Sequence, residues 1–205
     1  MESNLKITTF FRLIVVLLIL GGPAQASDKE KQAEKLIHDL ILAAQSHLSG
    51  EDTTILERET AFHNVARKKI DFPVLASLVT GKYWTEMSDE QQQEFLHLFS
   101  DFFLKSYAPL LGGYPDHQVD LIRTRQYGIA DVIVQTILIR PSQRPAKSEW
   151  RVREIEGTLR IVDISISGSS VGFSHRVGFH NHLQRKGIEG LLDLLRLRAQ
   201  QVPTQ

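Results

Sequence analysis

The 205-residue sequence has no cysteine. That excludes a disulfide framework, thiolate chemistry and cysteine metal ligands, while leaving an oxidising compartment open, since an exported protein can lack cysteine. It also has no net charge: 24 Lys and Arg stand against 24 Asp and Glu. A nucleic-acid surface needs a basic excess, so nucleic acid is not an expected partner. There is no internal repeat and no low-complexity tract. Gly112-Gly113 follows a helical pattern and carries no lysine, so it is no phosphate loop. There is no H-E-x-x-H among the eight histidines. His180 and His182 point about 200° apart at helical spacing, so His175, His180 and His182 cannot converge on one ion. Gly168-Ser169-Ser170-Val171-Gly172 is read as only a loose likeness of a nucleophile elbow. No catalytic, cofactor or metal site is expected.

What is present begins with a targeting pattern. Lys6 and Arg12 precede an apolar run from Leu13 to Leu20, Gly22 and Pro23 break it, and Ala24-Gln25-Ala26 has the small-x-small form of a cleavage site. Residues 1–26 are expected to be a cleaved signal peptide, and 27–205 a single domain. The run is shorter than the ~20 residues of a spanning helix. No cysteine follows the cleavage site, so a lipoprotein anchor is not expected.

The first half of the remaining chain is helical by periodicity. Asp28 to Leu48 places Leu36, Ile37, Leu40, Ile41 and Ala44 on one face, with Gly50 as a stop. Thr54 to Lys68 turns Phe62, Val65 and Ala66 inward. Asp71 is placed to cap a helix with Pro73 in its first turn and Gly81 at its end. Ser88-Asp89-Glu90-Gln91 is a capping box, and behind it Phe95, Leu98, Phe99 and Phe102 fall at i, i+3, i+4 and i+7. Leu96, Phe103, Tyr107 and Leu110 widen that face, so the helix lies in a core or lines an apolar cavity. Gly112 to Asp116 is turn chemistry.

The period then changes to that of strands: Val119 to Tyr127, Ile129 to Arg140, Glu149 to Ile155 and Leu159 to Ser167. Short connections make an antiparallel meander. In the last strand Val162, Ile164 and Ile166 are expected on one face, opposite Leu159 and Ile161. Helix returns after Ser169 or Ser170, is interrupted at Gly187, and continues through Leu191, Leu192, Leu194, Leu195 and Leu197. The fold class is therefore α+β: a four-stranded antiparallel meander packed against helices from both ends of the chain and enclosing an apolar cavity.

Two polar residues stand out. Asp163 lies mid-strand among apolar neighbours, either as a base in a cavity or, more simply, facing solvent or paired with Arg151 or Arg153. Arg176 lies one turn into the C-terminal helix, where it is either solvated, paired with a carboxylate such as Asp163, or holding a phosphate at a pocket mouth.

The order of residues resembles a known family. Ile70-Asp71-Phe72, Leu78-Val79-x-Gly81-Lys82-Tyr83-Trp84, Ser88-x-Glu90-Gln91, Phe95 and Tyr107 form one block. Gly168-x-Ser170-Val171, His175-Arg176, Phe179 and Gly187-Ile188-x-Gly190-Leu191 with Leu194 form a second. Together they resemble the MlaC-type periplasmic phospholipid-transport proteins, also called the toluene-tolerance family, across Asp28 to Arg198. His175 stands where that family usually has tyrosine. The resemblance implies a periplasmic carrier with no catalytic residues, whose sheet and helices enclose acyl chains. It implies exchange of phospholipid with an inner-membrane ABC transporter complex and an outer-membrane lipoprotein complex, and in some relatives a link to hopanoids.

Candidate lipid-binding residues are Leu75, Leu78, Val79, Phe99, Phe103, Tyr107, Val134, Leu138, Ile164, Ile166 and Val171, with Arg176 for the headgroup. An enzyme acting on an apolar molecule, and a structural envelope protein whose helices fill a core, remain as alternatives.

Overall fold

The computed structural model describes residues 27–48, 54–107 and 117–201. The signal-peptide expectation, the Gly50 stop, Leu110 and the Gly112–Asp116 turn lie outside the described residues.

Local chemistry sets the helices. Helix α1 is Asp28–Leu48 and α2 is Ile55–Lys69. Thr54 caps α2 in a reciprocal box: its Oγ1 accepts from the Glu57 N–H, and the Glu57 carboxylate accepts from the Thr54 N–H. Helix α3, Phe72–Thr80, opens on Asp71, whose carboxylate accepts from the Val74 N–H at 2.9 Å. It closes on Gly81, at φ 62°, which only glycine adopts at little cost. A 3-10 turn, Gly81–Glu86, leads to α4, Asp89–Tyr107. There Ser88 and Gln91 form the expected capping box, at 3.0 and 3.3 Å.

The strands are β1 (Gln118–Tyr127), β2 (Asp131–Ile139), β3 (Ala146–Ile155), β4 (Thr158–Ile166) and β5 (Ser169–Ser170), in the order β1-β2-β3-β4-β5. All neighbouring pairs are antiparallel. The meander is thus five-stranded, not four-stranded. Ser167 (φ 50°) and Gly168 (φ 87°) form a two-residue reversal that sets Ser169 opposite Ile166. A strand of two residues leaves no periodicity to read. The expected start of β2 at Ile129 is also displaced, since residues 128–130 are the turn and Ile129 is fully exposed.

Strict alternation fails in β4. The register shifts between Arg151 and Val152, so Asp163 faces Arg151 and Ile161 faces Val152, with Val162 the extra residue. The bulge puts Ile161 and Ile164 on the same, helix-facing side, and Ile161 to Ile164 are all buried. The expected division into a Val162-Ile164-Ile166 face opposite Ile161 is therefore wrong.

Helix α5, Val171–Gln201, bends at Gly187 (φ 67°, ψ −169°). Helix α1 covers β1, β2 and part of β4; α3 and α5 pack on each other and on β4; α4 lies behind them on α5 and α3. One apolar core joins the inner sheet face to the helices through Val132, Val134, Trp150, Val152, Ile161 and Ile164.

Candidate functional site: the α3–α4–α5 layer and the inner sheet face

Seven of the twelve candidate residues share this core: Leu75 and Val79 from α3, Phe99 and Phe103 from α4, Val134 from β2, Ile164 from β4 and Val171 from α5. Tyr107 and Ile166 are half-buried against it. Leu138 is buried at the far end of β2 beside Val119 and Ala146, outside that cluster. Leu78 is half-buried, and its Cδ2 presses so closely on Gly172 that a Cβ there would lie 2.5 Å away. Small size at residue 172 is what lets α5 lie against α3.

The helical layer is aromatic. Phe99 is its hub, 5.3 Å from Phe95, 5.8 Å from Phe103, 6.0 Å from Phe179 and 6.4 Å from Phe72 between ring centroids. The sequence missed the polar member. His175 sits 5.4 Å from both Phe102 and Phe179, and its Nε2 is 2.8 Å from the Tyr107 hydroxyl. Burial, and then the Arg198 charge, push the imidazole pKa down to about 4. At neutral pH it is an uncharged partner for Tyr107, joining the end of α4 to the start of α5. The signal that could have found it is its spacing of four residues from both Val171 and Phe179, which are buried on the same helix.

Asp163 is buried, yet it neither faces solvent nor pairs with Arg151 or Arg153. Its carboxylate accepts from the Ser170 hydroxyl at 2.6 Å, the Ile164 N–H at 2.8 Å and the Gly172 N–H at 3.0 Å. Both arginines go to Asp131 instead. The bulge aims Asp163 at the first turn of α5, where N–H groups have no intrahelical partner. Ser170, in turn, accepts from the Phe173 N–H at 2.9 Å. Residues 168–172 do carry glycine-x-serine-x-glycine at a strand-to-helix junction. The hydroxyl is nonetheless committed to a carboxylate and a cap, and the His175 ring is turned to Tyr107, so Ser170 is a capping residue.

Arg176 is exposed. Its Nη1 donates to the Leu78 carbonyl at 3.1 Å, and Nη2 would lie 3.1 Å from a Cβ on Gly81. It therefore rests on the C-terminal turn of α3, with no bond to Asp163.

Two clefts open away from these residues. One of about 580 Å³ is lined by Ile122, Gln135, Thr136, Pro145, Lys147, Ser148, Glu149, Ser167 and Gly168. Another of about 260 Å³ is lined by Thr60, His63, Asn64, Arg67, His97, Asp101 and Lys105. His63 there has its pKa pushed down to about 4 by burial and by the Arg67 and Lys105 charges. Among the described residues no group of three or more His, Asp or Glu could hold a metal ion, and no helix is long and apolar enough to cross a membrane.

The MlaC protein family model matches residues 34–197. The chain belongs to the MlaC family. Its fold is shared with a phospholipid-binding protein from Ralstonia solanacearum, solved in complex with a phospholipid, at a TM-score of 0.72 and 20% identity, over 86% of this chain and 99% of that one. No curated protein matches the sequence. Both of the sequence blocks that suggested the family lie within the matched span. Family membership points to binding and transport rather than catalysis.

Proposed function

We propose that this chain is a periplasmic carrier that buries the acyl chains of a phospholipid and moves it between an inner-membrane ABC transporter complex and an outer-membrane lipoprotein complex. The observation that carries this reading is the MlaC match across residues 34–197. It is supported by the fold shared with a phospholipid-bound protein.

Exposing lipid tails to water costs about 0.8 kcal/mol per CH₂, so a carrier must enclose them in apolar walls. The walls proposed are the inner sheet face, through Val134, Leu138, Ile164 and Ile166, and the opposing layer of Leu75, Leu78, Val79, Phe99, Phe103, Tyr107 and Val171. Acyl chains enter between these layers, and the Tyr107–His175 pair supplies a polar point in an otherwise hydrocarbon lining. Arg176 is exposed and uses one of its five N–H groups on Leu78, which leaves donors for an anionic headgroup.

Native mass spectrometry of the protein purified from its own envelope tests the reading. The expected result is a bound phospholipid, reduced in Leu78→Asp, because an unpaired carboxylate would face acyl chains. A thermal melt of the variant separates loss of lipid from loss of fold. Protein that arrives empty and takes up no phosphatidylglycerol on incubation sinks the carrier. A bound hopanoid or other apolar molecule keeps the carrier and replaces its cargo.

A further inference from the structure

The outer face of the sheet carries a second array that no acyl-chain cavity uses. Around the β1–β2 turn, Arg123, Arg125, Arg151 and Arg153 point to this face, opposite the side covered by α1. Two carboxylates stand among them. Asp131 is shared by Arg151 and Arg153, at 2.6 Å from each Nε. Glu149 lies 3.7 Å from Arg125. Four guanidinium groups against two carboxylates leave this part of the face positive. Glu154 is turned to the helix side, 3.5 Å from Lys29, and Glu156 is exposed on the neighbouring β3–β4 turn.

The array has an apolar tip. Tyr127 is half exposed, with the Arg125 and Arg151 guanidinium carbons each 5.4 Å from its ring centroid. Two residues on, Ile129 has its whole side chain in solvent at the apex of the turn. An aliphatic apex, a tyrosine behind it and a collar of arginines is the composition that sits at a bilayer interface. The aliphatic group enters the acyl boundary, the amphipathic ring lies at headgroup level, and the arginines reach phosphates.

We propose that the β1–β2 turn and the arginine-bearing outer sheet face form a docking surface for an anionic phospholipid bilayer. An acidic protein surface would satisfy the arginines but gives no role to a fully exposed isoleucine at their tip; a bilayer satisfies both. The contact is weak and reversible, with one aliphatic side chain inserted, which suits a protein that must leave the membrane again. It is separate from the acyl-chain cavity, so cargo and docking can fail independently.

The test is flotation of the full mature chain with equimolar phosphatidylglycerol–phosphatidylethanolamine vesicles and with phosphatidylcholine vesicles. Binding is expected to the first and not the second, weakening as salt rises. Each surface arginine is worth about fivefold in affinity. Arg123→Glu with Arg125→Glu should lower binding at least tenfold, and Glu156→Lys should raise it. Ile129→Asp, at a site with no packing to lose, should lower it several-fold with an unchanged melt and an unchanged lipid load by mass spectrometry. Equal flotation with both vesicles, wild-type flotation of Ile129→Asp and of the double variant, or no flotation at low salt overturns the proposal. In the last case, capture of a protein partner by the same face would assign it to that partner.

Discussion

The two faces of the sheet are built from alternate residues of the same strands, but they bury them by different means. On the inner face Val132, Val134, Trp150, Val152, Ile161 and Ile164 lie under helices, and Trp150 Nε1 donates to Thr136 Oγ1 on the neighbouring strand at 2.9 Å. On the outer face Asp131 and Ile133 are equally buried, with relative exposures of 3% and 5%. Their cross-strand neighbours are Arg125, Arg151 and Arg153, whose long stems cover them while the charged ends reach solvent. Covering a face with helices fixes it by many contacts with distant segments. Covering it with side chains fixes it by a few charge-assisted bonds within one ribbon, which salt or a single substitution can loosen.

Trp150→Ala should have the largest effect. Removing a fully buried indole costs about 3–5 kcal/mol, and strands Thr136 as well. A fall of order 10 °C in melting temperature is expected for a chain of this size. A fall no larger than that of an outer-face substitution would erase the distinction between the faces.

Asp131→Asn is the outer-face counterpart, with an expected cost of about 1–3 kcal/mol as two guanidinium groups lose their shared charge. Burial works against ionising Asp131, but hydrogen bonds from Arg153 and Arg151 outweigh it and hold its pKa below the ordinary carboxylate value. Its contribution is therefore present above that ordinary value and is lost as pH falls through the lowered one. Melts of wild type and variant should converge in strong acid and in high salt. Curves that stay parallel would mean that the arginines are held by something other than charge.

The helix side has its own pH signature. His175 and His63 both titrate near 4 in the folded chain, against an ordinary 6.5. The unfolded chain binds more protons between these values, so stability should fall as pH drops from about 6.5 towards about 4. His175→Phe should flatten part of that slope, with His63 providing the remainder. An unchanged slope would show that His175 is already accessible to protons.

Arg176→Ala should move the melt least, by about 2 °C or less, since one exposed bond to the Leu78 carbonyl is lost. Its proposed effect is on phospholipid loading, read by mass spectrometry. Unchanged loading with a fall of several degrees would make it purely an anchor of α3.

What the sequence showed of this arrangement was whatever is written locally. Asp71, Ser88 and Ser170 cap helices through bonds to groups within a few residues, and Gly81 and Gly187 end or bend them. What it hid depends on neighbours distant in the chain. Val162 is an extra residue only relative to β3, so alternation within β4 gave the wrong face to Ile161. Asp131 was not singled out, because two arginines some twenty positions later give it its role. The family was readable from two scattered blocks, but apolar surplus on α3 and α4 reads the same whether those residues fill a core or line a cavity.

The order of the elements along the chain has a consequence for synthesis. The sheet is a meander of neighbouring hairpins and can close on itself soon after its last strand appears. The apolar face of α1 is completed by residue 48, yet its cover on β1 and β2 lies at residues 118–139. At about 5–20 residues per second, α1 waits several seconds or longer with that face open to other chains. Helix α2, the next to be made and a neighbour of α1 in the finished fold, is the first shelter it meets. A mutation that weakens the α1–α2 pairing should therefore lower the yield of folded protein out of proportion to any loss in its equilibrium stability.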